Sequence, residues 1–375
     1  MYLGLDLGTS GVKALVIGDN QETLAEARAP LSVQRPHPGW SEQDPASWET
    51  AVDTVMSKLS SAIQLSGIKG IGLSGHMHGA TLIDAAGTML RPCILWNDTR
   101  SHIEAALLDN GPNFRKISGN ICFPGFTAPK LAWVKKHEPD IFSATAKVLL
   151  PKDYLRYWLS GECVSEMSDA SGTGWLDVGA RDWSEALLSA TDMSLDHMPR
   201  LVEGTSPSAG LSQRLANKWG MSAGTPIAGG GGDNAATAMG VGVTTPGSAF
   251  LSLGTSGVIF ATTASYAPAP ETAVHTFCHA LPDTWHQMGV TLSCADALEW
   301  FGRLVHQDPA GLTKPLVGVK APGRAMFLPY LGGERTPHND ATIRGALIGL
   351  ENETDLEAGT RAVLEGTGYA LRDSL

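Results

Sequence analysis

Two aspartates stand where glycine is dense. Asp233 directly follows Gly229-Gly230-Gly231-Gly232 and precedes Asn234-Ala235-Ala236-Thr237-Ala238-Met239. The alanine-rich stretch predicts a helix with Asp233 at or near its N-terminus, where an aspartate can be a plain cap. The glycines argue for more. Four in a row are costly to order, and they suit a place where a ligand must approach bare backbone. A carboxylate there can accept the proton of a hydroxyl that attacks a γ-phosphate. The helix dipole is expected to keep Asp233 ionised and hence a weak base. Phosphoryl transfer tolerates this, because its transition state is loose and positioning carries most of the catalysis.

The second aspartate, Asp6, precedes Leu7-Gly8-Thr9-Ser10-Gly11-Val12, and the same six residues recur as Leu253-Gly254-Thr255-Ser256-Gly257-Val258. Each copy lies between two apolar runs, Tyr2–Leu5 and Val12–Ile17 in the first, Ala249–Leu253 and Val258–Ala261 in the second. Each therefore predicts a strand, a tight turn and a strand. Gly8 and Gly11 are expected to supply backbone angles that other residues resist. Successive N–H groups and the Thr and Ser hydroxyls can then converge on an anion. The copies differ just before the turn, where Asp6 is replaced by Ser252. A carboxylate beside a phosphate needs a cation between them, and Mg²⁺ is held by one or two carboxylates with phosphate oxygens and water. Asp6 is the candidate metal residue. Gly8, Thr9, Ser10, Gly254, Thr255 and Ser256 are the candidate phosphate holders.

Between the apolar runs Ile68–Leu73 and Ala80–Ile83 lies Ser74-Gly75-His76-Met77-His78-Gly79. Two histidines at i and i+2 on extended chain share a face, but no Cys, Asp or Glu lies nearby in sequence to complete a metal set. A turn that binds polyol hydroxyls fits better. Gly70-x-Gly72-x-x-Gly75 imitates a dinucleotide fingerprint, yet its glycines fall inside a predicted strand and poor helix sequence follows.

The elements that must position these groups read as a sequence of strand, hairpin, strand, a further strand Leu24–Leu31, a helix Pro45–Leu65 opened by Asp44-Pro45, and a strand Ile68–Leu73. The chain has 375 residues, 43% hydrophobic and 17% charged, enough for two domains with buried cores. Its formal net charge of -11 disfavours nucleic acid and anionic membranes. No signal peptide or membrane-spanning run is read, so the expected compartment is the cytoplasm. Five scattered cysteines, without a C-x-x-C pair, read as reduced thiols.

The paired hairpins resemble those of the actin-like ATPases, and the chain from residue 1 onward resembles the carbohydrate kinases named for an F-G-G-Y signature. Within that family the likeness is to the branch that acts on D-xylulose. It is carried by Leu5-Asp6-Leu7-Gly8-Thr9-Ser10-Gly11-Val12-Lys13, Gly75-His76-Met77-His78-Gly79-Ala80, Leu95-Trp96-Asn97-Asp98, Phe126-Thr127-Ala128-Pro129-Lys130, Ser168-Asp169-Ala170-Ser171-Gly172-Thr173 and Gly231-Gly232-Asp233-Asn234. The resemblance implies an α/β fold of two ribonuclease-H-like domains, 1–242 and 243–375, that close on ATP and Mg²⁺. It implies that Met77, His78, Asp233 and Asn234 contact the ketopentose and that Asp233 is the proton acceptor. The Met77-His78 pair argues against glycerol, ribulose or gluconate as substrate.

The chain stops at Leu375, ahead of the glycine-rich adenosine segment that the resemblance implies, so the second domain is expected to be incomplete. A fragment with weak or no kinase activity, low solubility or self-association is the corresponding expectation. The other readings are a kinase for another polyol and a sugar-binding protein that has lost the nucleotide. The expected partners are a small sugar and ATP, with a homodimer left open.

Overall fold

The computed structural model describes residues 1–318 and 321–375. They divide into two compact units. One comprises Met1–Thr244, Ala264–Tyr266 and Phe277–Trp285, and the other Thr245–Thr263, Ala267–Thr276 and His286–Leu375. Each is α/β.

The first unit is built on a seven-stranded mixed sheet. β1 (Tyr2–Gly8), β2 (Gly11–Ile17) and β3 (Thr23–Pro30) form an antiparallel meander, and β4 (Ile71–Gly75) lies parallel to β1. β5 (Pro207–Gly210) and β6 (Pro226–Ala228) extend the far side, and the short β7 (Gly231–Gly232) also pairs with β4. Alternation explains which side is core. Leu3, Leu5 and Leu7 of β1, Val12, Ala14 and Val16 of β2, and Ile71 and Leu73 of β4 are all buried. They pack with helix α1 (Pro45–Ala62), whose Trp48, Ala51, Val52, Val55, Met56 and Leu59 form one apolar face. Asp44 caps α1 by accepting from Ala46 N at 2.9 Å, with Pro45 in the first turn. The opposite face of the sheet presents Gly4, Asp6, Lys13, Leu15, Gly72 and Ser74, lining an open groove of about 510 Å³.

Two boundaries differ from the sequence expectation. The helix ends at Ala62 rather than Leu65, because Leu65–Gly67 closes a 3₁₀ turn that Ile68 terminates. The next strand consequently starts at Ile71, not Ile68, and runs on to Gly75. That shift carries Ser74 into register with Asp6 on one side and Gly231 on the other. Gly70, Gly72 and Gly75 lie in or beside this strand with no helix starting among them, so the dinucleotide pattern is coincidental.

The glycines of the first hairpin serve a different purpose from the one expected. Neither Gly8 nor Gly11 adopts a left-handed backbone. Gly11 is required by crowding, since a Cβ there would sit 2.6 Å from Ala29 O on β3.

The second unit carries a four-stranded sheet in the order β8-β9-β11-β10, with β8 (Ala249–Leu253), β9 (Gly257–Thr263), β10 (His275–Cys278) and β11 (Trp285–Thr291). β8 is an edge strand and exposes Leu251 and Leu253. Helix Leu356–Arg372 contributes Val363 to one apolar cluster with Phe301 and Phe327, and Leu371 to another with Ile259 and Cys294. Among the described residues no helix is long and apolar enough to cross a membrane, and the five cysteines are free thiols.

Gly11→Ala should lower the urea midpoint by about 1–3 kcal/mol equivalent, because the neighbouring strand backbone must move. Gly240→Ala, where nothing lies within 4 Å, should be neutral or stabilising by up to about 1 kcal/mol. Equal destabilisation by both would contradict the crowding argument.

Candidate active site

Asp6 reaches the open face because it alternates with Leu5 and Leu7 on β1. Its Oδ1 accepts from Ser74 Oγ at 3.0 Å, and its Oδ2 has no hydrogen-bond partner among the described residues. The turn beyond it is tied down through its carbonyls. Gln43 Nε2 donates to Thr9 O at 2.7 Å, and Leu31 N donates to Ser10 O at 2.9 Å. Gln43 is itself fixed by Trp48 Nε1 at 3.0 Å, and Trp96 Nε1 donates to Thr9 Oγ1 at 3.0 Å. The Thr9 and Ser10 amides donate to nothing among the described residues. They are available to an anion.

Asp233 is not a cap. Gly232 is the N-cap, and Asp233 is the first residue of the helix Asp233–Gly240. Its Oδ1 accepts from Asn234 N at 2.7 Å and Asn234 Nδ2 at 3.1 Å. Oδ2 has no hydrogen-bond partner among the described residues and remains able to take a proton. The expectation of a weakly basic carboxylate is corrected. Burial pushes Asp233 up to about 6, the Asp6 charge adds to this, and the Asn234 bonds only partly oppose it. Desolvation outweighs the helix dipole here.

Met77 and His78 join this group through close packing. A side chain on Gly232 would meet Met77 Cγ at 2.9 Å, so the turn before Asp233 lies against Met77. His78 has φ of 70°. Its ring stacks on Phe126 with centroids 4.9 Å apart. Nδ1 lies 2.6 Å from Gly172 O, and a carbonyl only accepts, so Nδ1 carries the proton and Nε2 is the acceptor. The His78 carbonyl receives Lys130 Nζ at 2.8 Å and Thr127 Oγ1 at 3.1 Å. Lys130 is wholly buried, and burial pulls it down to about 7. His76, by contrast, is buried edge-on to Trp48 and pushed down to about 3, hence neutral. The two histidines do not act as a pair, and among the described residues no group of three or more His, Cys, Asp or Glu could hold a metal.

The structure thus gathers Asp6, Ser74, Met77, His78, Asp233 and Asn234 at one end of the sheet. The open groove has Gly4, Leu15 and Gly72 along its floor, and Asp6, Ser74 and Gly231 also line it. Asp98 does not cap a helix. It accepts from Ser41 N at 2.6 Å and from Arg100 Nε at 2.9 Å. Sequence reasoning did not single out Ser74, whose signal was its place on the glycine face of its strand, and it took Lys130 as part of a helix packed on the first domain without a tie to His78.

In the second unit the repeated hexapeptide folds differently. Gly8 pairs with Gly11 across a two-residue turn, whereas Leu253 pairs with Gly257 across three residues. Cys294 N and Ala295 N, at the start of helix Ala295–Val305, capture Thr255 O and Gly254 O, each at 2.8 Å. The Thr255 and Ser256 amides, like those of Thr9 and Ser10, donate to nothing among the described residues.

Comparison with known proteins shows the family of the chain. The FGGY family of carbohydrate kinases, N-terminal domain, matches residues 1–240, and its C-terminal domain matches residues 249–375. A xylulose kinase of Escherichia coli K12 is 50% identical over 378 residues, covering 100% of this chain and 78% of that protein. A xylulose kinase of Klebsiella pneumoniae is 49% identical with the same coverage. The crystal structure of a xyloylose kinase from Brucella ovis superposes with a TM-score of 0.98 at 59% identity, covering 100% of this chain and 78% of that one. The chain belongs to the FGGY family of carbohydrate kinases.

Proposed function

We propose that this chain transfers the γ-phosphate of ATP to D-xylulose, giving D-xylulose 5-phosphate and ADP. The substrate assignment is supported by the xylulose kinases that match the whole chain at up to 50% identity. The reaction type rests on one observation. A part-buried carboxylate, Asp233, has one oxygen held by its neighbour and the other without a partner among the described residues, next to a turn that packs on Met77.

The sugar's terminal hydroxyl donates to Asp233 Oδ2. As the sugar hydroxyl oxygen bonds to the γ-phosphorus, the bond from phosphorus to the β,γ-bridging oxygen breaks, ADP leaves, and the hydroxyl proton passes to Asp233 and then to solvent. Asp233 loses little driving force, because its proton affinity is raised by burial. Asn234 keeps the other oxygen from rotating into the acceptor position. Met77, His78 and Asn234 seat the ketopentose, with His78 Nε2 accepting from a sugar hydroxyl. Thr9 and Ser10 hold phosphate oxygens through amides that have no partner among the described residues, and Thr255 and Ser256 are the corresponding donors of the second unit's turn, where the Gly254 amide is taken by Ser256 O at 3.1 Å. Asp6 suits Mg²⁺, since Ser74 occupies only one of its oxygens and one carboxylate with water and phosphate is this ion's usual set. When bound, the ion neutralises phosphate charge. The compartment is the cytoplasm.

Asp233→Asn should abolish phosphate transfer, by at least about 10³-fold, while D-xylulose still binds in calorimetry. Near-normal turnover would remove Asp233 from its role. A substrate panel should rank D-xylulose above glycerol, ribulose and gluconate in kcat/KM, and an equal rate with glycerol would overturn the substrate assignment.

Asp233 must be ionised to accept a proton. The kcat/KM profile should therefore fall about tenfold per pH unit below about pH 6. An acid limb near pH 4 would show an unperturbed carboxylate.

The same shift has a stability consequence. With the folded-state pKa raised, the group contributes stability below its unfolded pKa and loses it as pH rises through about 6. Asp233→Asn should thus raise stability by about 1–3 kcal/mol at pH 8 and by nothing at pH 3.5, measured by urea unfolding.

A further inference from the structure

Asp233 follows a glycine turn that cannot hold itself. Gly232 sets the direction in which the Asp233 side chain leaves the backbone, yet a side chain on Gly232 is forbidden by Met77. Its position must be imposed from outside. The carbonyls at the start of the turn are held by Arg156, fully buried, which donates to Ala228 O at 2.6 Å and Gly229 O at 2.5 Å. The end of the turn pairs with β4 through Gly231 and Gly232, and the one side-chain hydrogen bond on it among the described residues is Gly232 N donating to Ser168 Oγ at 3.1 Å.

The Ser168 hydroxyl is not free to rotate. Both Glu166 oxygens lie within reach of it, at 3.0 and 2.9 Å, and a carboxylate only accepts, so the hydroxyl proton goes to Glu166. Its lone pairs are then left for Gly232. Glu166 is fully buried and also accepts from Ser168 N at 2.8 Å and Asp169 N at 2.9 Å. Lys152, with no exposed surface, lies 3.6 Å from Glu166 and 3.4 Å from Asp169, and donates to Asp153 at 2.7 Å. Burial pushes the Glu166 carboxyl up, and the Lys152 charge and the two amides oppose it; with both oxygens accepting from backbone N–H groups, the carboxyl is arranged as an acceptor.

We propose that Ser168, oriented by Glu166, is a positioning residue that fixes the Gly232 amide and thereby aims the Asp233 carboxylate at the attacking hydroxyl. The inference rests on the reading of Asp233 as proton acceptor. Removing the Ser168 hydroxyl leaves the Gly232 N–H buried and unpaired and lets the peptide rotate, and a displacement of about 1 Å at a reacting group costs on the order of 10²-fold in rate.

Ser168→Ala should lower kcat for D-xylulose by about 10–100-fold while the calorimetric Kd for the sugar stays within about twofold. Amide hydrogen exchange at Gly231–Asp233 should accelerate, with the core strand Ile71–Gly75 unaffected. Ser168→Thr, which keeps the hydroxyl, should restore both quantities. Unchanged kcat in Ser168→Ala, or unchanged exchange at Gly232, overturns the proposal, and so does a loss of sugar binding and core protection that Ser168→Thr fails to rescue. Asp233→Asn measured in parallel separates the two ideas. If Asp233→Asn turns over normally, the acceptor reading fails whatever Ser168 does. If Asp233→Asn is dead and Ser168→Ala is normal, only the positioning role fails.

Discussion

Four consecutive glycines have no side chains with which to hold one another, and everything at this site depends on how they are held. The protein solves this from behind. Arg156 takes the carbonyls of Ala228 and Gly229, Ser168 takes the Gly232 amide, and Met77 closes against the space where a Gly232 side chain would be. Charged donors make the strongest of such bonds, each contributing about 1.5–3 kcal/mol. Burying the charges is costly unless they are mutually satisfied. Lys152, Arg156, Asp153, Glu166 and Asp169 share one fully buried ion cluster, and it is only partly satisfied, since neither Asp169 oxygen has a hydrogen bond among the described residues.

Strain and desolvation are concentrated at the same end of the sheet. His78 holds a left-handed backbone at φ of 70°, a conformation that costs a non-glycine residue about 1–3 kcal/mol. Two donors on its carbonyl and a stacked Phe126 overdetermine it. Asp233 is desolvated until it titrates near 6. Both features reduce stability, and both serve the proposed reaction, in which His78 accepts from a sugar hydroxyl and Asp233 takes a proton.

The sequence picked out residues that the fold brings to one end of the first sheet, because acids and hydroxyls next to glycine are recognisable by type and spacing. The hairpins, the α1 cap at Asp44 and the start of the helix at Asp233 follow from local rules and were legible. What was not legible depends on tertiary contact. Gly8 and Gly11 were read as conformational glycines, but Gly11 answers to a carbonyl on β3, a partner that local sequence does not reveal. The identical hexapeptides take different turns because Cys294 and Ala295 capture the carbonyls of only the second. Lys130 and Arg156 look like surface charges until burial is known. The dipole argument for Asp233 lost to desolvation, a quantity that composition does not contain.

The most direct test of the account is the structure of this chain with D-xylulose bound. The account places the sugar's 5-hydroxyl about 2.6–3.2 Å from Asp233 Oδ2, with Met77 and His78 around the ring-opened sugar. A ketose seated elsewhere, or one whose 5-hydroxyl points away from Asp233, would contradict it.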